Sequence, residues 1–169
     1  SYIKSTFKLS NKNLLGSLAH NYSSNENNEF TLDLTTAIHD MKKNNWNGLC
    51  ILAMCNKNNG ASESNPNWSD TWIKLSNITY TVSSTTLSIS RSAVISAGES
   101  NQRYNGNSFN IVNDGAASCT TIGLWSYGID SLKYVDSASL NVYVNDYYKA
   151  SINDLSINFY YIDPSLASS

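Results

Sequence analysis

The chain has 169 residues, a length that suits one domain and suffices to bury a core without covalent staples. Hydrophobic residues make up 41% and charged residues only 14%, well under the usual quarter, so Asn, Ser and Thr carry the solubility. The formal net charge is −2 with Lys, Asp and Glu scattered, which argues against a nucleic-acid partner, and no apolar run has the length membrane insertion needs.

The first residue is Ser1 and no signal peptide is visible, which reads as a processed form or an excised piece. Ile3, Ser5, Phe7 and Leu9 alternate with Tyr2, Lys4, Thr6 and Lys8, predicting a first strand. Residues 11–28 are polar and turn-rich, with Leu14, Leu15 and Leu18 as a brief apolar foothold. Phe30, Leu32 and Leu34 then alternate with Thr31, Asp33 and Thr35 as a half-buried strand does. The period changes at Ala37, Ile38 and Met41, predicting a short helix over 36–43 with Thr35 or Thr36 as its N-cap. Asn45, Trp46, Asn47 and Gly48 turn the chain, and 49–54 is a continuous apolar run of strand length.

Residues 56–70 form a long polar loop around Trp68. A strand follows over 72–82, with a slip in alternation at Ser76 and Asn77 that suits a β-bulge. Ser83 and Ser84 read as a midpoint linker. Strand candidates follow at 86–91 and 94–96, then a second polar loop over 98–108 centred on Tyr104. Further strands are predicted at 109–112, 120–127, 138–144 and 155–161, with a turn over 145–150. The dipeptides Asn47-Gly48, Asn59-Gly60, Asn105-Gly106 and Asp114-Gly115 suit tight hairpins. Short strands with turn signals every ten residues or so predict an all-β fold, an antiparallel, jelly-roll-like β-sandwich with one short helix. The expectation is a single domain, 1–169, in which halves 1–84 and 85–169 pack together within one chain or between copies.

Nothing in the pattern points to catalysis. Neither His20 nor His39 lies in a recognisable motif, and no GxSxG elbow exists. The acids fall mostly at turns, where their backbone hydrogen bonding explains them. Cys50 and Cys55 sit at odd spacing on one strand and face opposite sides, so with Cys119 they read as three buried thiols. Without a CxxC pair no metal centre or cofactor is expected, although loop carboxylates could hold a structural calcium. The promise lies in the aromatic residues, 11 Tyr and 4 Trp against low charge, because flat rings flanked by Asn and Ser suit a sugar. Trp68, Trp72, Tyr104, Asn105 and Arg103 form the candidate ligand-binding set, whereas Trp46 and Trp125 read as packing residues.

The segment TLDLTTAIHDMKKNNWNGLCIL, residues 31–52, resembles the "hydrophobic–Asp–hydrophobic–Thr, short helix, Trp, Gly, buried strand" segment of DNRLRE-type β-sandwich repeats. TWIKLSNITYTV would be the closing strand, and VDSASLNVYV, preceded by TTIGLWSYGI, resembles an earlier motif of that family. Here the family's early part lies in the second half of the chain. The order implies a circular permutation, an excerpt straddling two tandem repeats, or a likeness of sandwich patterning alone. The resemblance implies secreted polysaccharide-active, cell-surface or phage structural proteins and transfers no catalytic residue. The resulting expectation is a non-catalytic module on a cell or virion surface, or extracellular, that binds polysaccharide. The alternative is a structural stalk or filament module, joined to neighbouring modules by strand contacts and lacking a small ligand.

Overall fold

The structure is a computed structural model and describes residues 9–19, 28–57, 71–96, 104–105, 108–113, 121–129, 137–148 and 155–167. The strands are β1 (Leu14–Ala19), β2 (Asn28–Asp33), β3 (Gly48–Lys57), β4 (Thr71–Val82), β5 (Thr85–Ser88) and β6 (Arg91–Ser96). They continue as β7 (Tyr104–Asn105), β8 (Ser108–Asn113), β9 (Thr121–Tyr127), β10 (Ala138–Tyr148) and β11 (Leu155–Ile162). The helix α1 (Thr35–Lys43) lies between β2 and β3, and a 3₁₀ turn (Pro164–Ala167) follows β11.

Two antiparallel sheets form an all-β sandwich. The first runs β1-β11-β3-β9-β6; the second runs β2-β10-β4-β8-β7, with β5 paired to the second half of β4. Every described strand from 1–84 hydrogen-bonds only to strands from 85–169: β1 to β11, β2 to β10, β3 to β11 and β9, and β4 to β10, β8 and β5.

The period-2 patterns explain the core. Leu32, Ile78, Tyr80, Val82, Leu140 and Val142 of the second sheet meet Ile51, Ala53, Ile122, Leu124, Ile157 and Phe159 of the first. Phe30 and Phe159 pack across the gap with ring centroids 6.1 Å apart. Each such Leu, Ile or Phe removed from water is worth about 1.5–3 kcal/mol. The continuous apolar run in β3 has its own reason: its other face is buried too. Cys50, Leu52 and Met54 cluster there with Trp125, Tyr160 and Ile162, against half-buried Leu9 and Leu14. Trp125 is fully buried; its Nε1 donates to the Pro164 carbonyl at 3.4 Å, and the Arg91 guanidinium lies 4.0 Å from its ring centroid. Trp46 is half-buried beside Tyr161, so both tryptophans read as packing residues do pack.

The helix forms because Ala37, Ile38 and Met41 bury one face on the core. Neither Thr35 nor Thr36 caps it. Leu34 takes the N-cap position without a side-chain bond, and Asp33 serves instead, its Oδ1 accepting from the Thr35 backbone N at 2.9 Å and the Thr35 hydroxyl at 2.7 Å. At the other end Asn45 adopts φ +56°, and its N–H bonds the Lys42 carbonyl while that of Trp46 bonds the Met41 carbonyl. That is a Schellman ending with Asn in the left-handed position.

The chain departs from its sequence reading at several points. Leu14, Leu15 and Leu18 belong to an edge strand, β1, rather than a foothold in a loop, because pairing with β11 satisfies a polar backbone. Asn47-Gly48 is no hairpin turn; Gly48 opens β3 straight after the helix ending. Ser83 and Ser84 are not a linker but the two-residue connection of the β4–β5 hairpin, with Ser83 at φ +55°. The candidate 86–91 divides, since Ile89 and Ser90 carry the chain from the second sheet to the first. The expected turn over 145–150 begins later, as β10 runs to Tyr148. The bulge in β4 occurs where the alternation slips: Thr79 faces Asn141 and Ser76 faces Tyr143, leaving one extra residue on β4. Residues 2–8 of the first predicted strand and the Asn59-Gly60 and Asp114-Gly115 turns lie outside the described residues.

Candidate binding face of the second sheet

The residues that alternate with the core positions of β2, β10, β4 and β5 share the outer face of the second sheet. Strand register aligns them into two rows across the strands. One row is Asp33, Ser139, Thr81 and Thr86; the next is Thr31, Asn141, Thr79 and Ser88. Each position carries a hydroxyl, an amide or a carboxylate, and each is exposed or half-buried. Tyr143, half-buried, continues the face along β10 opposite Glu29.

At one end the face deepens into a groove of about 410 Å³. Thr31, Asp33 and Thr35 line it from the β2 side, Ser137, Ala138 and Ser139 from β10, and Thr81 and Ser83 from β4. Two backbone bonds fix its shape. The Ser83 N–H donates to the Ser137 carbonyl at 2.7 Å, and the Leu34 N–H donates to the Ala138 carbonyl at 2.8 Å.

Asn141 organises the hydroxyls. Its Nδ2 donates to Thr81 Oγ1 at 3.0 Å and Thr79 Oγ1 at 3.4 Å, while its Oδ1 accepts from Ser139 Oγ at 3.4 Å. A threonine oxygen that accepts from the amide keeps its own O–H to donate. The Asp33 carboxyl is held below the usual carboxylate range, first by the Thr35 hydroxyl and then by the Thr35 backbone N–H. It is therefore an anion at neutral pH. Both bonds fall on Oδ1, so Oδ2 remains an acceptor. Donors, acceptors and one carboxylate on a shallow groove suit a polyhydroxylated ligand.

The aromatic set named from sequence is only partly brought together. Trp72 lies on β4 paired with Val112 and Tyr148, and Tyr104 and Asn105 form β7, paired through Phe109 and Ser108. Tyr104 is thus part of a short strand instead of a loop tip. These backbones belong to the same sheet as the groove but to its other end, Trp72 being nine residues, about 30 Å, from Thr81 along β4. Trp68 and Arg103 lie outside the described residues. The groove residues escaped sequence reading because they are the polar halves of the alternating segments FTLD, ITYTV and ASLNV. The signal was the concentration of Thr, Ser and Asn at those positions. Among the described residues no cluster of His, Cys, Asp or Glu has the grouping to hold a metal ion, and His39 is exposed on α1. No described helix is long and apolar enough to cross a membrane.

No family model, curated protein or solved structure matches the chain.

Proposed function

We propose that this chain is a non-catalytic β-sandwich module of an extracellular, cell-surface or virion-surface protein, and that it binds carbohydrate on the outer face of its second sheet. One observation carries the reading: eight side chains in two registered rows offer hydroxyl, amide and carboxylate groups beside a groove of about 410 Å³. Such sites hold sugars by many directed hydrogen bonds, and the Asn141 network pre-orients several donors before the ligand arrives. The resemblance to DNRLRE-type repeats is part of the same proposal. Its quoted residues have physical roles here: Asp33 holds the start of α1, Trp46 packs after the Schellman ending, and Gly48 opens the buried strand.

A polysaccharide panel tests the reading. The whole chain retains on at least one glycan, and Asn141→Ala, which releases Thr79 and Thr81, weakens that binding about tenfold. Absence of binding to every glycan overturns it. Retention that survives Asn141→Ala but is lost in Trp72→Ala or Tyr104→Ala moves the site to the other end of the sheet.

A further inference from the structure

Resting on the carbohydrate reading above, we infer that the ligand is an uncharged glycan chain lying across the strands, with its hydroxyls on the Asp33–Ser139–Thr81–Thr86 row. The direction follows from the register. Each row passes through four adjacent strands, β2, β10, β4 and β5, at a spacing of about 4.8 Å per strand. That spacing is close to the length of one pyranose in an extended chain, so successive sugars meet successive strands. Along the strands the face is short: the β4 bulge interrupts it between Ser76 and Thr79, and the hairpin turn at Ser83 ends it. A ribbon-like ligand thus finds repeated partners in one direction only.

The charge preference follows from the side chains. Asp33 is the one ionisable residue in the two rows, and among the described residues no Lys or Arg lines the groove. The nearest acid along β2 is Glu29, which adds to the same sign. A uronate or sulfate group in the groove would meet the Asp33 carboxylate with no cation among the described lining residues beside it, and like charges at contact distance oppose binding. A neutral sugar instead offers two neighbouring hydroxyls to Asp33 Oδ2 and the threonine oxygens, and charge-assisted bonds of this kind are the strong ones.

Affinity electrophoresis of the whole chain in gels containing a neutral β-linked glucan or its carboxymethylated derivative tests the charge. We expect retardation by the neutral polymer, at least about tenfold weaker retardation by the acidic one, and little change over a tenfold range of salt. Asp33→Asn narrows the gap between the polymers. Equal or tighter binding of the acidic polymer overturns the inference yet leaves carbohydrate binding standing; failure of both polymers and of a wider glycan panel removes both. Direction is read from paired variants with unchanged thermal melting. Thr86→Val and Ser88→Ala, at the far strand of the rows, should each weaken binding several-fold. If they are silent while Tyr143→Phe and Glu29→Gln weaken it, the chain runs along the strands and the inference fails.

Discussion

The Tyr161 hydroxyl donates to Asp40 Oδ2 at 2.5 Å, joining the last strand of the first sheet to the helix that follows β2. The Lys12 carbonyl lies 3.2 Å from the same hydroxyl, so one side chain ties three segments together. Tyr161→Phe keeps the ring in the core and removes only the hydroxyl, with its interactions to Asp40 and the Lys12 carbonyl. A hydrogen bond to a charged group that is partly screened by solvent should cost about 1–2 kcal/mol on removal, read as a lower urea midpoint with an unchanged slope.

The same hydroxyl sets an alkaline limit. Burial, then the Asp40 hydrogen bond and charge, push the Tyr161 hydroxyl from its usual 10.0 up to about 12. Burial also raises Tyr80. A raised folded value means that the unfolded chain loses its proton first. The stabilisation is therefore complete below pH 10 and is lost as pH rises from about 10 toward about 12. Melting temperature should fall across that window, and Tyr161→Phe should flatten the fall. A flat profile in the parent chain would contradict the burial of these hydroxyls.

Cys50 tests the second apolar layer. Its thiol is fully buried between Trp125 and the rest of the outer cluster of the first sheet, and burial pushes it up to about 12. Thiolate is the reactive form, so at neutral pH this residue should stay unmodified by a disulfide reagent while the chain is native and react fully once it is unfolded. Peptide mapping of the labelled sites separates Cys50 from Cys55 and Cys119. Native labelling of the Cys50 peptide within minutes would mean that the layer opens.

What the sequence made legible followed from local rules. The alternation of Phe30, Leu32 and Leu34, the 3.6-residue spacing of Ala37, Ile38 and Met41, and the uninterrupted run of β3 each report the face that packing will bury. Edge strand β1 stayed hidden because edge residues need little apolar surface, and Gly16 and Ser17 dilute its pattern. The cap at Asp33 stayed hidden for a different reason. Asp33 reads as a strand residue, yet its carboxylate reaches forward to Thr35, a side-chain direction that alternation does not encode. The candidate face illustrates the larger limit. Thr81 and Ser139 are 58 positions apart, and Asp33 is farther still from Ser139; register, which periodicity does not fix, makes them neighbours. Sequence drew attention to aromatic residues in polar loops because isolated side chains are visible one at a time, whereas a row is not.

Gly48 shows how closely β3 and β9 meet. A Cβ at this position would overlap the Ser126 carbonyl oxygen, part of the partner strand's backbone. The backbone has little room to give, so Gly48→Ala should cost about 2–3 kcal/mol by forcing β9 away. Gly16 makes the contrast. There a Cβ would meet Leu32 Cδ2 at 2.6 Å, the far end of a side chain that can rotate. Gly16→Ala should cost about 1 kcal/mol or less. Equal losses in the two variants would refute the claim that backbone contact, rather than general crowding, makes Gly48 necessary.

The pairing of the two halves leads to the broadest prediction. Strand β3 of the first half lies between β11 and β9 of the second, and β10 of the second lies between β2 and β4 of the first. Residues 1–84 alone would leave β3 and β4 without hydrogen-bonded neighbours on either side, and 85–169 alone would lose the strands that separate β11 from β9 and β10 from β8. Unpaired strands with apolar faces aggregate instead of folding. Expressed separately, fragments 1–84 and 85–169 should show no cooperative melting, and mixing them from denaturant should recover a single transition. Because all these pairings close within one chain, the intact protein should sediment as a monomer with a melting temperature independent of its concentration. Two fragments that each melt cooperatively would refute the idea of one folding unit. A melting temperature that rises with protein concentration would instead place part of the pairing between copies, where the second half of one chain completes the first half of the next.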